Sequence, residues 1–193
     1  FNRLYLSVTR ELRRRLREDY FARPAVAARL TVRFGARYLH AVHRAAAGQR
    51  VPECWWPLFR ARTAPGVHPV QFALCGINAH IGHDLALAVV DTCRDLHCAP
   101  AALDTDFHRV GTVLTALETR VREDLMPGPD LLERAEPLTH LVSAWSIASA
   151  REAAWCAARV LWTVRHLPRL AAEFAERLDE GVGLVGRLLL VDL

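Results

Sequence analysis

The sequence predicts an all-α protein: one helical bundle spanning residues 1–193 around a buried central helix. Three observations predict it. Apolar residues recur at three- and four-residue spacing in every long segment, β-branched alternation is scarce, and prolines and glycines fall between those segments. Leu4, Tyr5, Val8, Leu12 and Leu16 give segment 2–19 one apolar face. Pro24 suits the first turn of a second helix, whose stripe Val26, Leu30, Phe34, Tyr38 and Val42 runs on until Gly48. Residues 49–68 hold three prolines and a glycine, so they read as a connecting segment anchored by Trp55, Trp56 and Phe59. Pro69 opens the central helix, expected to run to about Leu96. Asp104 is a good N-cap for a helix over about 105–125, carrying Phe107, Val110, Leu114, Leu117 and Val121 on one side. "MPGPD" at 126–130 breaks the chain. A long helix is expected from about Leu138 to His166, and a last one near 169–180 after Pro168. The tail "GVGLVGRLLLVDL" fits a short strand or an apolar helix equally.

Composition narrows the classes. Hydrophobic residues make up 52% and charged residues 24%, which describes a folded chain with a substantial core. Polar residues interrupt 70–90, so a membrane span is not expected, nor is a signal peptide. The first residue is not methionine, and a preceding N-terminal piece is expected. The net charge is +4, but all 25 basic residues are arginine, a mark of a GC-rich genome. In "RELRRRLRED", 10–19, acids alternate with arginines on a helical period, which reads as a solvated face rather than a nucleic-acid groove. The five cysteines show no CxxC pair, and an odd count fits reduced thiols in the cytoplasm.

The central helix carries the chemistry. "CGINAHIGHDLALAVVD", 75–91, is apolar or small nearly throughout, yet holds Asn78, His80, His83, Asp84 and Asp91. On a regular helix His80 and Asp84 lie about 40° apart, with Asp91 between them and His83 at the edge of the arc. A helix apolar nearly all round is enclosed, so its polar stripe must meet partners or a cavity inside the protein. A second candidate wall is "SAWSIASAREAAWCAARVLW", 143–162, where Arg151 and Glu152 stand among Trp145 and Trp155. Glu152 is the expected cross-chain partner of His80, and Arg151 suits a substrate carboxylate or phosphate. An internal Arg–Glu pair explains the same residues structurally. Asp106, near a helix start, is expected to satisfy backbone N–H groups. His40 and His43 are metal-spaced but flanked by arginines, as on a solvent face. No serine-hydrolase elbow or phosphate-binding glycine loop is present.

Four stretches, "FNRLYLSVT" (1–9), "CWWPLF" (54–59), "QFALCGINAHIGHDLALAVVDT" (71–92) and "AREAAW" (150–155), resemble the DUF5995 family of mostly actinobacterial proteins over nearly the whole chain. The resemblance implies a single, predominantly helical domain and brings no activity with it. It implies family positions at Asn78, His80, Asp84, Arg151, Glu152 and Trp155, and at Asn2, Tyr5 and Thr9. It also implies that the His83 position varies, commonly to arginine, and that Gly111 stands where relatives tend to carry asparagine. His80 and Asp84 further share the H-x-x-x-D device of zinc-dependent phospholipase C and related helical nucleases, whose other His/Asp pairs are missing here.

The functional expectation is an enzyme acting on a small, largely apolar substrate in an intra-bundle pocket. His80 would be the general acid/base, oriented by Asp84, with Glu152 as the third catalytic group. Asn78, Arg151, Trp145, Trp155 and Asp91 would bind the substrate. A metal variant uses His80, Asp84 and Glu152 around one divalent ion. The alternatives are a non-catalytic small-molecule-binding module and a structural or interaction domain. A small-molecule ligand is the expected partner, with no nucleic acid and no membrane.

Overall fold

The computed structural model of the chain describes residues 1–125 and 146–191. The described residues are mostly helical and contain no strand. In chain order the helices are α1 (Asn2–Arg17), α2 (Pro24–Ala46), α3 (Trp56–Ala61), α4 (Pro69–Ala79), α5 (Leu85–Asp95), α6 (Asp104–Leu125), α7 (Ile147–Thr163) and α8 (Pro168–Leu189). A π-helical turn, His80–Asp84, joins α4 to α5 without a break, and a 3₁₀ turn, Pro100–Leu103, leads into α6.

α4, the π turn and α5 form the axis. α2 and α7 pack on α5, α8 packs on α4, and α1 and α6 close the side beyond α2 and α7. Leu85, Ala86, Ala88, Val89 and Val90 of α5 meet Leu30 of α2, Phe107 and Leu114 of α6, and Ala158 and Leu161 of α7 in one core. By length and mean hydropathy, Pro69–Asp95 would pass for a membrane span, but 89% of its most apolar window is buried inside the protein. Its apolar surface is therefore already occupied by the surrounding helices.

Local chemistry sets the helix ends. Four helices carry proline in the first turn, where its missing N–H costs nothing: α2, α3, α4 and α8. The His68 N–H donates to Gln71 Oε1 at 2.8 Å, closing the start of α4. The Gln71 amide donates in turn to the carbonyls of Leu189 and Val191, both at 3.0 Å, fastening α4 to the end of α8. Ser146 caps α7 by accepting the Ser149 N–H.

The ambiguous tail is helix: α8 continues to Leu189, with Gly183, Gly186 and Leu189 turned inward. The expected break at 126–130, the stretch 138–145 and Trp145 lie outside the described residues. The 10–19 cluster is paired on its own face, Arg14 with Glu11 and Glu18, and Arg15 with Glu11. His40 and His43 are exposed. Asp106 accepts backbone N–H groups as expected, but those of Ala22 and Arg23, at 2.7 and 2.8 Å, so it clamps the turn before α2.

Candidate functional site

The π turn gathers the polar groups. The Leu85 N–H reaches back to the His80 carbonyl, which widens this turn by one residue. Asp84 sits at its end, 2% exposed, and three side chains converge on its carboxylate. The Trp55 indole N–H donates to Oδ2 at 3.0 Å. His80 Nδ1 bonds the same oxygen at 3.0 Å, and His83 Nδ1 bonds Oδ1 at 3.0 Å. A carboxylate only accepts, so both histidines present their Nδ1–H to it. Burial favours the acid form of Asp84, but the hydrogen bonds from His80 and His83 outweigh it and hold the carboxyl below its ordinary value.

His80 is enclosed by rings. Phe34 stacks on the imidazole with centroids 3.6 Å apart and planes within 6° of parallel. Phe1, Tyr5, Tyr38 and Trp55 surround it at centroid distances of 5.4–6.0 Å. The Tyr38 hydroxyl donates to Asn2 Oδ1, tying the start of α1 to this box. Phe1, Tyr5 and Phe34 are each only half-buried, so the box has its thinnest wall where α1 meets α2. Burial pushes the His80 imidazole below its ordinary value despite Asp84, so the ring is neutral. With Nδ1–H committed to Asp84, the lone pair lies on Nε2, which is buried and has no hydrogen-bond partner. Arg37 Nε and Arg151 Nε are also buried without partners, but each belongs to a guanidinium bonded through another nitrogen. Of these three orphaned atoms among the described residues, His80 Nε2 alone is a basic lone pair.

This protonation state is measurable. In long-range ¹H–¹⁵N spectra at neutral pH, His80 should show a protonated Nδ1 and an unprotonated Nε2; an imidazolium pattern would contradict it. The sign for stability follows. His80 binds its proton less readily folded than unfolded, so below the ordinary value of about 6.5 the unfolded chain carries the extra proton. Stability from this group is present above that pH and is lost as pH falls through it.

The remaining expected site residues are dispersed. Glu152 is not a partner of His80: it is exposed on α7, 3.9 Å from His108 Nε2. The metal set of His80, Asp84 and Glu152 is therefore not assembled. Arg151 and Trp155 are buried against α6. The Arg151 guanidinium fills the space above Gly111, lies 4.4 Å from the Phe107 ring and donates to the Phe107 carbonyl. Trp155 packs on Phe107 at 4.5 Å. Asn78 faces α8 and donates to the Val182 carbonyl at 2.9 Å. Asp91 pairs with Arg37 of α2 and lies 3.7 Å from Arg94. Both His80 and Asp91 therefore face α2, but Asp91 meets an arginine there and His80 meets Phe34.

Asp179 and Cys54 were not singled out in the sequence. The Asp179 carboxylate accepts the Glu53 and Cys54 N–H groups, both at 2.9 Å, and its Oδ1 lies 3.9 Å from His83 Nε2. Burial, with Asp84 and Asp179 beside it, pushes the Cys54 thiol well above its ordinary value. All five cysteines are free. The signal was slight: one acid in an amphipathic helix, and one cysteine beside a tryptophan pair.

The family of unknown function DUF5995 has a model that matches residues 1–192. The chain belongs to this family. Searches of curated proteins and of solved structures find no match. Two of the stretches that carry the resemblance, 71–92 and 54–59, thus supply His80, His83, Asp84 and Trp55, and in this DUF5995 member the other three close on the Asp84 carboxylate.

Proposed function

We propose that the protein is an enzyme acting on a small, largely apolar substrate, with His80 as general base and Asp84 as the carboxylate that orients it. The observation that carries this is the lone pair on His80 Nε2. A buried polar atom without a partner costs about 1–3 kcal/mol, a cost that persists where the atom has work to do. A carboxylate-held neutral imidazole is the usual form of such a base, and π turns recur at functional sites. The aromatic walls select an apolar body, and the lone pair takes a proton from an O–H or N–H, either the substrate's own or that of a water attacking it. Reaching Nε2 requires Phe1 and Tyr5 to move aside.

Two assays test the proposal on the chain with the N-terminal helix present. Phenol, an apolar ring with one hydroxyl, should shift the His80 Nε2 resonance on titration. Turnover of small uncharged esters, with p-nitrophenyl butyrate as the first probe, should fall about 10²–10⁴-fold in His80→Gln while the circular dichroism is retained. Activity surviving in His80→Gln would remove the catalytic role. Binding of phenol without turnover of any probe would leave a non-catalytic ligand module.

One observation favours a second reading. All three donors on Asp84 are satisfied and Phe34 stacks flat on His80, as in a polar core that fixes helix register. On that reading His80→Ala and Asp84→Asn lower the melting temperature and leave every ligand response unchanged.

A further inference from the structure

Asp179 and Asp106 both accept two consecutive backbone N–H groups from a neighbouring segment. Asp106 does nothing more among the described contacts. Asp179 also faces His83 and Cys54. A carboxylate has about four acceptor sites, so the amide clamp leaves two for another purpose.

The geometry around His83 is that of a metal ligand. Its Nδ1–H is given to Asp84 at 3.0 Å, the carboxylate–histidine bond that fixes a ligating imidazole with its other nitrogen outward. That other nitrogen, Nε2, stands 3.9 Å from Asp179 Oδ1, too far for a hydrogen bond. Ligand atoms of Cys54, His83 and Asp179 all lie within 4.8 Å of one another. Ligand atoms around one tetrahedral zinc ion lie about 3.3–3.6 Å apart, so His83 and Asp179, now 3.9 Å apart, would close by roughly half an ångström and no pair of the three by more than about 1.5 Å. Charge points the same way. Among the described residues, the ion-pair partners of Asp84 and Asp179 are His80 and His83, and no arginine approaches either carboxylate.

We propose that Cys54 Sγ, His83 Nε2 and the Asp179 carboxylate bind one divalent ion of the zinc class, leaving a fourth position for a small ligand. A mixed sulfur, nitrogen and oxygen set suits zinc or cobalt and disfavours magnesium and calcium. Binding releases the Cys54 thiol proton to solvent, and the ion takes its place between sulfur, nitrogen and oxygen. Glu53 and Glu180, chain neighbours of Cys54 and Asp179, line a cleft of about 580 Å³ with Arg50, Arg177, Gly181 and Arg187. The site shares Asp84 with His80 but does not depend on His80 acting as a base.

Cobalt(II) titrated into the reduced, chelator-treated protein tests it. The expected result is one equivalent bound, with a thiolate-to-cobalt charge-transfer band and the strong visible absorption of a tetrahedral ion. Cys54→Ser should lose the charge-transfer band completely, and His83→Gln should weaken binding at least tenfold. A Cys98→Ser/Cys156→Ser double variant should keep both signals. X-ray absorption of the zinc-loaded wild type needs no variant to fold, and it should count one sulfur per zinc. A zinc shell without sulfur or with two or more, a band that survives Cys54→Ser, or no retention of a stoichiometric ion would each overturn the proposal. None of these readouts requires turnover, so the site stands or falls separately from the His80 chemistry.

Discussion

Asp84→Ala should lower the unfolding free energy by about 3–5 kcal/mol, the range for removing one partner of a buried charged network. In a chain of this size that is roughly a 10 °C fall in melting temperature. The cause is countable. Three donors lose their acceptor together: the Trp55 indole and the Nδ1–H groups of His80 and His83. The imidazoles have a second tautomer, but the indole does not, and Trp55 is fully buried. Asp91→Ala is the internal comparison, two turns along the same axis. Its carboxylate is 27% exposed and its partner is an arginine, so the loss should stay near 1 kcal/mol. Urea denaturation of both variants measures the contrast, and equal losses would show that the Asp84 network has been overvalued.

Gly183→Ala should destabilise by about 2–3 kcal/mol through overpacking. α8 crosses the 53–54 segment so closely that an added Cβ would lie 2.6 Å from the Glu53 carbonyl oxygen and 2.9 Å from its carbon. Both are backbone atoms, with no rotamer to give way. The helix would have to lift, drawing Asp179 away from the Glu53 and Cys54 amides. Hydrogen exchange at those two amides should therefore speed up more than at Leu85 or Val89 in α5. Gly181→Ala, two residues earlier, meets nothing within 4 Å. There the change should stabilise by roughly 0.5–1 kcal/mol, the ordinary gain of alanine over glycine in a helix. A loss at Gly181 as large as at Gly183 would mean that backbone conformation, not the close approach, governs both.

The fold was legible because its determinants are local and repeated. The 3.6-residue stripe in 2–19, 24–46 and 69–96 is written in consecutive residues, and each stripe fixes a face. The His80–Asp84 contact was legible for the same reason, lying within one turn. The wheel assumed a constant phase, which the widened turn at His80–Asp84 does not keep, and it could not show that Asp91 meets Arg37 of α2. Glu152 failed differently. It neighbours Arg151 in sequence, but burial of one residue turned the other to the surface, because the open space at Gly111 accepts the Arg151 guanidinium. Trp55, Phe34, Cys54 and Asp179 were hidden because they reach the site from three other segments.

By itself, then, the sequence determined an all-helical chain, an enclosed central helix and one histidine–carboxylate pair within it. Each of these rests on interactions between residues a few positions apart, where geometry follows from helical spacing. Tertiary structure alone decided which lone pair is sealed among five rings, which carboxylate receives three donors, and that Cys54 and Asp179 come together at His83 across 125 positions of chain. Those outcomes depend on how closely helices approach, and one glycine or one extra residue in a turn is enough to change that.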